Sequence, residues 1–237
     1  LHLHHEDFTG QFGKMWANFR GAAWYRQAVL AARAAAADLG FPTVRELKAA
    51  VASRIAQWVA NGGLLFAMCL AADSLDVALA ARGIDFIPPE IDGTPADPQA
   101  NSKLDFSATL AFCNFKLIMD PAVSEISTID VQLPAASVAS HGETFELFEF
   151  SAKQDPICTM LVQCHTRRIP DFLGQTSAFR RSCLKPTVIV LGDFPGQDKV
   201  KYIHGDYGKG TFTFLAGHDP EDYAHLVGEP PTDLSQH

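Results

Sequence analysis

The chain has 237 residues, 47% of them apolar and 19% charged, with a formal charge of −8, a composition of one folded α/β domain able to bury a sizeable core. That charge, with no basic stripe, argues against nucleic acid as a partner and favours a small molecule. No apolar run reaches the roughly 20 residues a membrane span requires. Five cysteines without a C-x-x-C pair indicate neither a zinc knuckle nor a full disulfide framework, and no cofactor is called for.

Residues 1–5 alternate apolar and polar, the period of a strand, and run into the polar turn Glu6-Asp7-Phe8-Thr9-Gly10. The chain opens inside this pattern, which reads as a fragment or a processed chain and leaves its compartment open. His4, His5 and Glu6 invite a metal reading, ranked last, against that of a strand tip entering a substrate-binding loop. Helices are expected over 14–20 and 22–39, the second closed by Gly40. Trp16, Phe19, Trp24 and Tyr25 form an aromatic cluster that suits packing better than a stacking platform. Thr43 and Glu46 have capping-box spacing and start a helix whose apolar positions recur every three or four residues until Asn61-Gly62-Gly63.

The apolar run 64–68 reads as a buried parallel strand, followed by Cys69 at a turn and a helix over 70–81. Ligands of open α/β sheets bind at the carboxyl ends of the strands, and a helix start lowers a thiol pKa, so Cys69 has the address of a nucleophile. Its bland alternative is a small buried hydrophobe. A short strand is expected at 84–87, a long loop and candidate lid at 90–103, strands within 110–119, 145–150 and 158–165, an ambiguous stretch at 169–184, and a core strand at 186–191. Residues 200–204 and 210–216 flank a glycine-bearing turn and form a hairpin, placing His218 at a strand end as Cys69 is. His218 is the candidate base, Glu221 or one of Asp73 and Asp76 the carboxylate that orients it, and the Leu70 amide with one from the Glu6 to Gly10 loop the candidate oxyanion hole. The other four cysteines read as structural.

The elbow of 63–81 together with Gly210-Thr-Phe-Thr-Phe-Leu-Ala-Gly-His218-Asp-Pro-Glu221 resembles the class I glutamine amidotransferase-like superfamily, and Tyr207-Gly-Lys-Gly210 through Glu221 is similar to its ThuA-like branch, linked to trehalose utilisation. The resemblance implies a flavodoxin-like, open, mostly parallel sheet with helices on both faces, lacking its first βαβ portion. It implies one domain over 1–237 with a β-rich or loop insertion at about 90–185, and Cys69, His218 and Glu221 as a triad. Ala67 and Ala71 stand where working amidotransferases carry glycines, and ThuA-like members often lack the cysteine. The whole chain also resembles an uncharacterised bacterial group sometimes labelled asparagine synthetase, whose members can carry an export signal, so a periplasmic location competes with a cytoplasmic one. ATP-dependent asparagine synthesis is not supported, since the chain has neither an N-terminal cysteine nor a Ser-Gly-Gly-x-Asp loop. The expected activity is therefore a cysteine-dependent hydrolase or amidase acting on a small amide or carbohydrate. The alternative is a non-catalytic carbohydrate-related binding or scaffold domain contacting its ligand through His5, Glu6 and Trp16.

Overall fold

A computed structural model describes residues 1–131, 144–148, 168–170 and 177–217. Its described residues form a mixed α/β fold around one eight-stranded sheet. In chain order the elements are β1 (His2–Leu3), α1 (Trp16–Phe19), α2 (Ala23–Asp38), α3 (Val44–Ala60), β2 (Leu64–Met68), α4 (Leu70–Ala80) and α5 (Pro89–Asp92), followed by β3 (Thr144–Leu147), β4 (Arg168–Pro170), β5 (Phe179–Arg180), β6 (Ile189–Asp193), β7 (Lys199–Tyr207) and β8 (Gly210–Leu215). The strand order is β1-β2-β8-β7-β6-β3-β4, with β5 added to β7. The pairs β1–β2 and β2–β8 are parallel, and every other pairing is antiparallel, so the sheet is mixed and the parallel arrangement expected for it is confined to β1-β2-β8.

Several local signals of the sequence are realised. Thr43 caps α3, its Oγ1 accepting the Glu46 N–H at 3.1 Å, but the box stays half-closed because the Glu46 Oε2 is buried without a hydrogen-bond partner. The β7–β8 hairpin turns on Gly208 and Lys209, with Gly208 at φ 65°. Gly210 opens β8 where the end of α3 crosses it, and a Cβ there would lie 2.1 Å from the Val59 carbonyl oxygen and 2.3 Å from that of Gly63. Both obstacles are backbone, so the site cannot yield by a rotamer change. Gly210→Ala is expected to cost about 3 kcal/mol, the upper range for overpacking, read as a lowered urea midpoint at unchanged slope.

All eleven residues of α4 are buried. A surface helix would be apolar on one stripe only. Here α3 packs on α4, while Leu110, Phe112, Phe115 and Ile126 join the same core from the long segment between α5 and β3. A second, smaller core gathers Phe145, Ile169, Ala178 and Phe194 under the antiparallel half of the sheet.

Further expectations need correction. Residues 84–87 form no strand: Ile84, Phe86 and Ile87 are buried, but their segment turns on itself, with the Ile84 N–H donating to Ala81 and the Ile87 N–H to the Asp85 carboxylate, before Pro89 starts α5. Residues 110–119 hold only isolated bridges, because side chains capture most of the donors a ladder would need: the buried Asp76 carboxylate takes the N–H groups of Leu110, Ala111 and Phe112 at 2.7, 2.7 and 2.9 Å, and Thr128 and Asn101 take those of Lys116 and Leu117. The helix expected from residue 14 is only α1, preceded by a left-handed turn in which Phe12, Gly13 and Lys14 have φ of 54°, 63° and 55°. The ambiguous 169–184 stretch contains parts of β4, β5 and a 3-10 turn at Arg181–Cys183. The strand expected at 186–191 runs Ile189–Asp193 and is not a core strand, since Ile189 is exposed and only Gly192 is buried. The strand expected at 158–165 lies outside the described residues. No helix among the described residues is long and apolar enough to cross a membrane.

Candidate active site

Cys69 stands where β2 becomes α4. Its N–H donates to the Leu215 carbonyl at 3.1 Å, prolonging the β2–β8 ladder by one bond, and its own carbonyl accepts the Ala72 N–H at 3.1 Å, starting the helix. Serving both elements holds it at φ 54°, ψ −138°, a backbone conformation costly for any residue with a Cβ. The side chain is 1% exposed. Burial pushes the thiol up to about 12, reinforced by the carboxylates of Asp73 and Asp130 and opposed by the Leu70 N–H and by Lys201. The helix-start amide expected from the sequence is therefore present, but desolvation outweighs it.

The loop after β1 forms the facing wall. The Asp7 carboxylate accepts the Thr9 N–H at 2.7 Å, the Thr9 hydroxyl at 2.6 Å and the Gly13 N–H at 2.8 Å, drawing residues 7–13 into a compact turn. Ser74, on α4, locks this turn to the elbow helix, accepting the Phe8 N–H at 3.2 Å and donating to the Glu6 carbonyl at 3.0 Å. Lys14 anchors its far end: the amine is buried and donates to the carbonyls of Ile118 and Asp120 at 2.7 and 2.8 Å. Burial lowers its pKa to about 8, against the raising effect of Asp120 and Glu125.

Between wall and elbow lies a cavity of about 470 Å³, a volume suited to a small ligand. Cys69 and Leu70 form one side, His5, Asp7, Phe12, Gly13 and Met15 another, and Trp24, Tyr25 and Ala28 of α2 the third. Of the residues the sequence singled out, Cys69, Leu70 and His5 thus share one space. Glu6 is exposed and its Oε2 accepts the His4 N–H at 2.7 Å, fixing the loop rather than facing the cavity. Gly10, at φ 83°, packs on the backbone of Arg45 and lines a separate cavity of about 230 Å³ near the start of α3. Asp73 is buried in the first turn of α4 and acts on Cys69 through its charge. Trp16 is not among the residues around the Cys69 cavity, and none of 90–103 is either. His218 and Glu221 lie outside the described residues, as do Cys158 and Cys164.

Two charged groups near the elbow were not singled out. Lys201, fully buried on β7 beside the end of β8, donates from Nζ to the Ser177 carbonyl at 2.9 Å, and Asp130 is 7% exposed beside β5. Both carry charge to within reach of the Cys69 sulfur. The buried alternation of β7 was the available signal: Lys201 shares a face with Ile203 and Gly205, both buried. No group of three or more His, Cys, Asp or Glu among the described residues is arranged to hold a metal ion.

No protein-family description matches the chain, and no curated protein matches it. Among solved structures, it is similar to Gan42B, a GH42 beta-galactosidase from G. stearothermophilus, at 12% identity and a TM-score of 0.34, and to the E323A catalytic mutant of the same enzyme at 13% and 0.30. Each comparison covers 77% of this chain and 20% of the galactosidase, so the chain spans about a fifth of that protein's length. Likeness at that level assigns neither a fold family nor an activity.

Proposed function

We propose that this chain is a class I amidotransferase-like domain of flavodoxin-like type, of the ThuA-like branch, acting as a cysteine-dependent hydrolase or amidase on a small molecule. The observation that carries the reading is the backbone of Cys69. A non-glycine residue at φ 54°, ψ −138° costs on the order of 1–3 kcal/mol, and such strain persists where the surrounding structure enforces it, most often at functional sites. Here it sits at the carboxyl end of a parallel strand, beside a cavity of ligand size. His218 follows Leu215, the acceptor of the Cys69 N–H, by three residues, which supports it as the base, with Glu221 to orient it.

The chemistry follows from a thiol that is un-ionised at rest. His218 accepts the thiol proton as Sγ attacks the amide carbonyl carbon, forming the C–S bond. Collapse of the tetrahedral adduct breaks the C–N bond, and the amine leaves with that proton. Water then attacks the thioester, forming a C–O bond, breaking C–S and returning a proton to the thiol. No redox partner is needed.

Alkylation by iodoacetamide tests the pairing. Cys69 is expected to react near pH 7.5 in the wild type and about 100-fold more slowly in His218→Ala, the lower range for removing a general base. Equal rates in the two proteins would remove His218 from the mechanism. The second reading, a non-catalytic carbohydrate-related binding or scaffold domain, is favoured by the thiol pKa of about 12, which leaves Cys69 inert without a base. It is supported if neither protein is alkylated and neither turns over an amide.

A further inference from the structure

The cavity beside Cys69 also carries information about what would fill it. Tyr25 is 5% exposed, lines this cavity from α2, and its hydroxyl is buried without a hydrogen-bond partner. A buried hydroxyl left unpaired is costly, whereas Tyr in folded proteins normally finds a partner for its O–H. Around it the wall is apolar: Phe12 meets Tyr25 edge-on with ring centroids 6.1 Å apart, and Trp24 meets it edge-on at 5.9 Å. Trp24 is nonetheless 51% exposed, leaving half of a large flat ring at the cavity mouth uncovered.

Charge narrows the occupant further. The described lining contains no Lys or Arg, and its one carboxylate, Asp7, is already committed to Thr9 and Gly13. Nearby cations are engaged elsewhere: Lys14 with the Ile118 and Asp120 carbonyls, Lys201 with that of Ser177, Arg33 with those of Ile91 and Asp92, and Arg20 over the Trp16 ring at 4.7 Å. A carboxylate or phosphate on the ligand would enter a largely apolar space beside Asp7 with no Lys or Arg on its described wall to receive it, a desolvation penalty.

We propose that this cavity binds an uncharged carboxamide with a flat apolar or aromatic body, the body lying against Trp24 and Phe12 and a polar atom of the ligand pairing with the Tyr25 hydroxyl. A free amino acid such as glutamine, which carries a carboxylate, is excluded by the same lining. The assignment deepens the hydrolase reading by naming its substrate class, and its binding part stands without that reading.

The test uses the full chain carrying Cys69→Ala, so that binding is measured without turnover. Phenylacetamide, followed by isothermal titration, is expected to bind at one saturable site, and L-glutamine over the same concentration range to give no saturable signal. Adding Tyr25→Phe is expected to weaken phenylacetamide about ten-fold, the worth of one hydrogen bond, while leaving the melting temperature no lower, since the hydroxyl has no partner to lose. Adding Trp24→Ala is expected to weaken it by a similar factor. Undiminished binding with Tyr25→Phe, a lowered melting temperature in that variant, or glutamine binding as tightly as phenylacetamide would overturn the assignment. Hydrolysis by the wild type is scored separately: binding without hydrolysis keeps the pocket and removes the hydrolase, whereas Cys69-dependent amide hydrolysis without phenylacetamide binding does the reverse.

Discussion

Cys69→Ala is expected to abolish amide turnover, by about 10³-fold or more, because loss of a nucleophile removes the covalent route and leaves only what binding and backbone donors supply. The fold should survive, since Ala keeps the Cβ and loses one buried sulfur. A companion substitution makes the result specific to the elbow. At ordinary positions Gly is less stable than Ala, but at φ 54°, ψ −138° the order reverses, so Cys69→Gly is expected to be more stable than Cys69→Ala by about 1 kcal/mol or more while being equally inactive. Undiminished turnover in Cys69→Ala would sink the catalytic reading. A stability order of Ala above Gly would mean that the elbow is not strained.

Asp76→Ala is expected to be the most destabilising of the changes considered, at about 3 kcal/mol or more. It deprives the N–H groups of Leu110, Ala111 and Phe112 of their acceptor in a region where all three residues are buried, and each orphaned donor costs on the order of 1–3 kcal/mol before relaxation. The carboxyl also gives the effect a pH signature. Burial pushes it up from 3.8 to about 6, the three N–H donors and Lys185 recovering only part of the shift. A folded pKa above the unfolded one means that stability from this group is fully present below pH 4 and is lost as pH rises through about 6. The gap between wild type and Asp76→Ala, from urea titrations, should therefore be widest near pH 4 and narrower above pH 6, by ~3 kcal/mol for a shift of this size. A pH-independent gap would show that the carboxyl titrates alike in both states.

The legible parts of the sequence were those in which local pattern and tertiary role agree. The run from Leu64 to Met68, the turn at Cys69 and the helix after it were readable because a buried strand, a stop and a helical repeat each leave their own period. The Thr43 cap and the Gly208 turn likewise depend on residues a few positions apart. The failures share a cause. Residues 84–87 and 110–119 have strand composition, but their backbone donors are claimed by nearby carbonyls and by the Asp85 and Asp76 side chains. A carboxylate 34 residues away from the amide it captures leaves no periodic trace. In the candidate site, Cys69, Leu70 and His5 were legible from strand ends, whereas the roles of Tyr25 and Trp24 were not. An aromatic that lines a cavity has the same spacing as one that fills a core, and only the orphaned hydroxyl and the half-bare indole separate the two.

The placement of β2 has a consequence for the order in which the site comes into being during synthesis. β2 is flanked by β1 and β8, both parallel to it, and its register with β8 pairs Leu64 with Thr211 and Met68 with Leu215. The carbonyl that accepts the Cys69 N–H belongs to that same Leu215. A ribosome has therefore made nearly all of the described chain before the strand that fixes the elbow exists, and pairings this distant in sequence are the slow ones in folding. Before that pairing the elbow lacks the bond to Leu215, and Cys69 is expected to behave as an ordinary thiol, more acidic than the buried one of the folded state. The nascent protein is thus more open to oxidation or alkylation at Cys69 than the finished one, and the closing of β8 onto β2 both shapes the elbow and shields it.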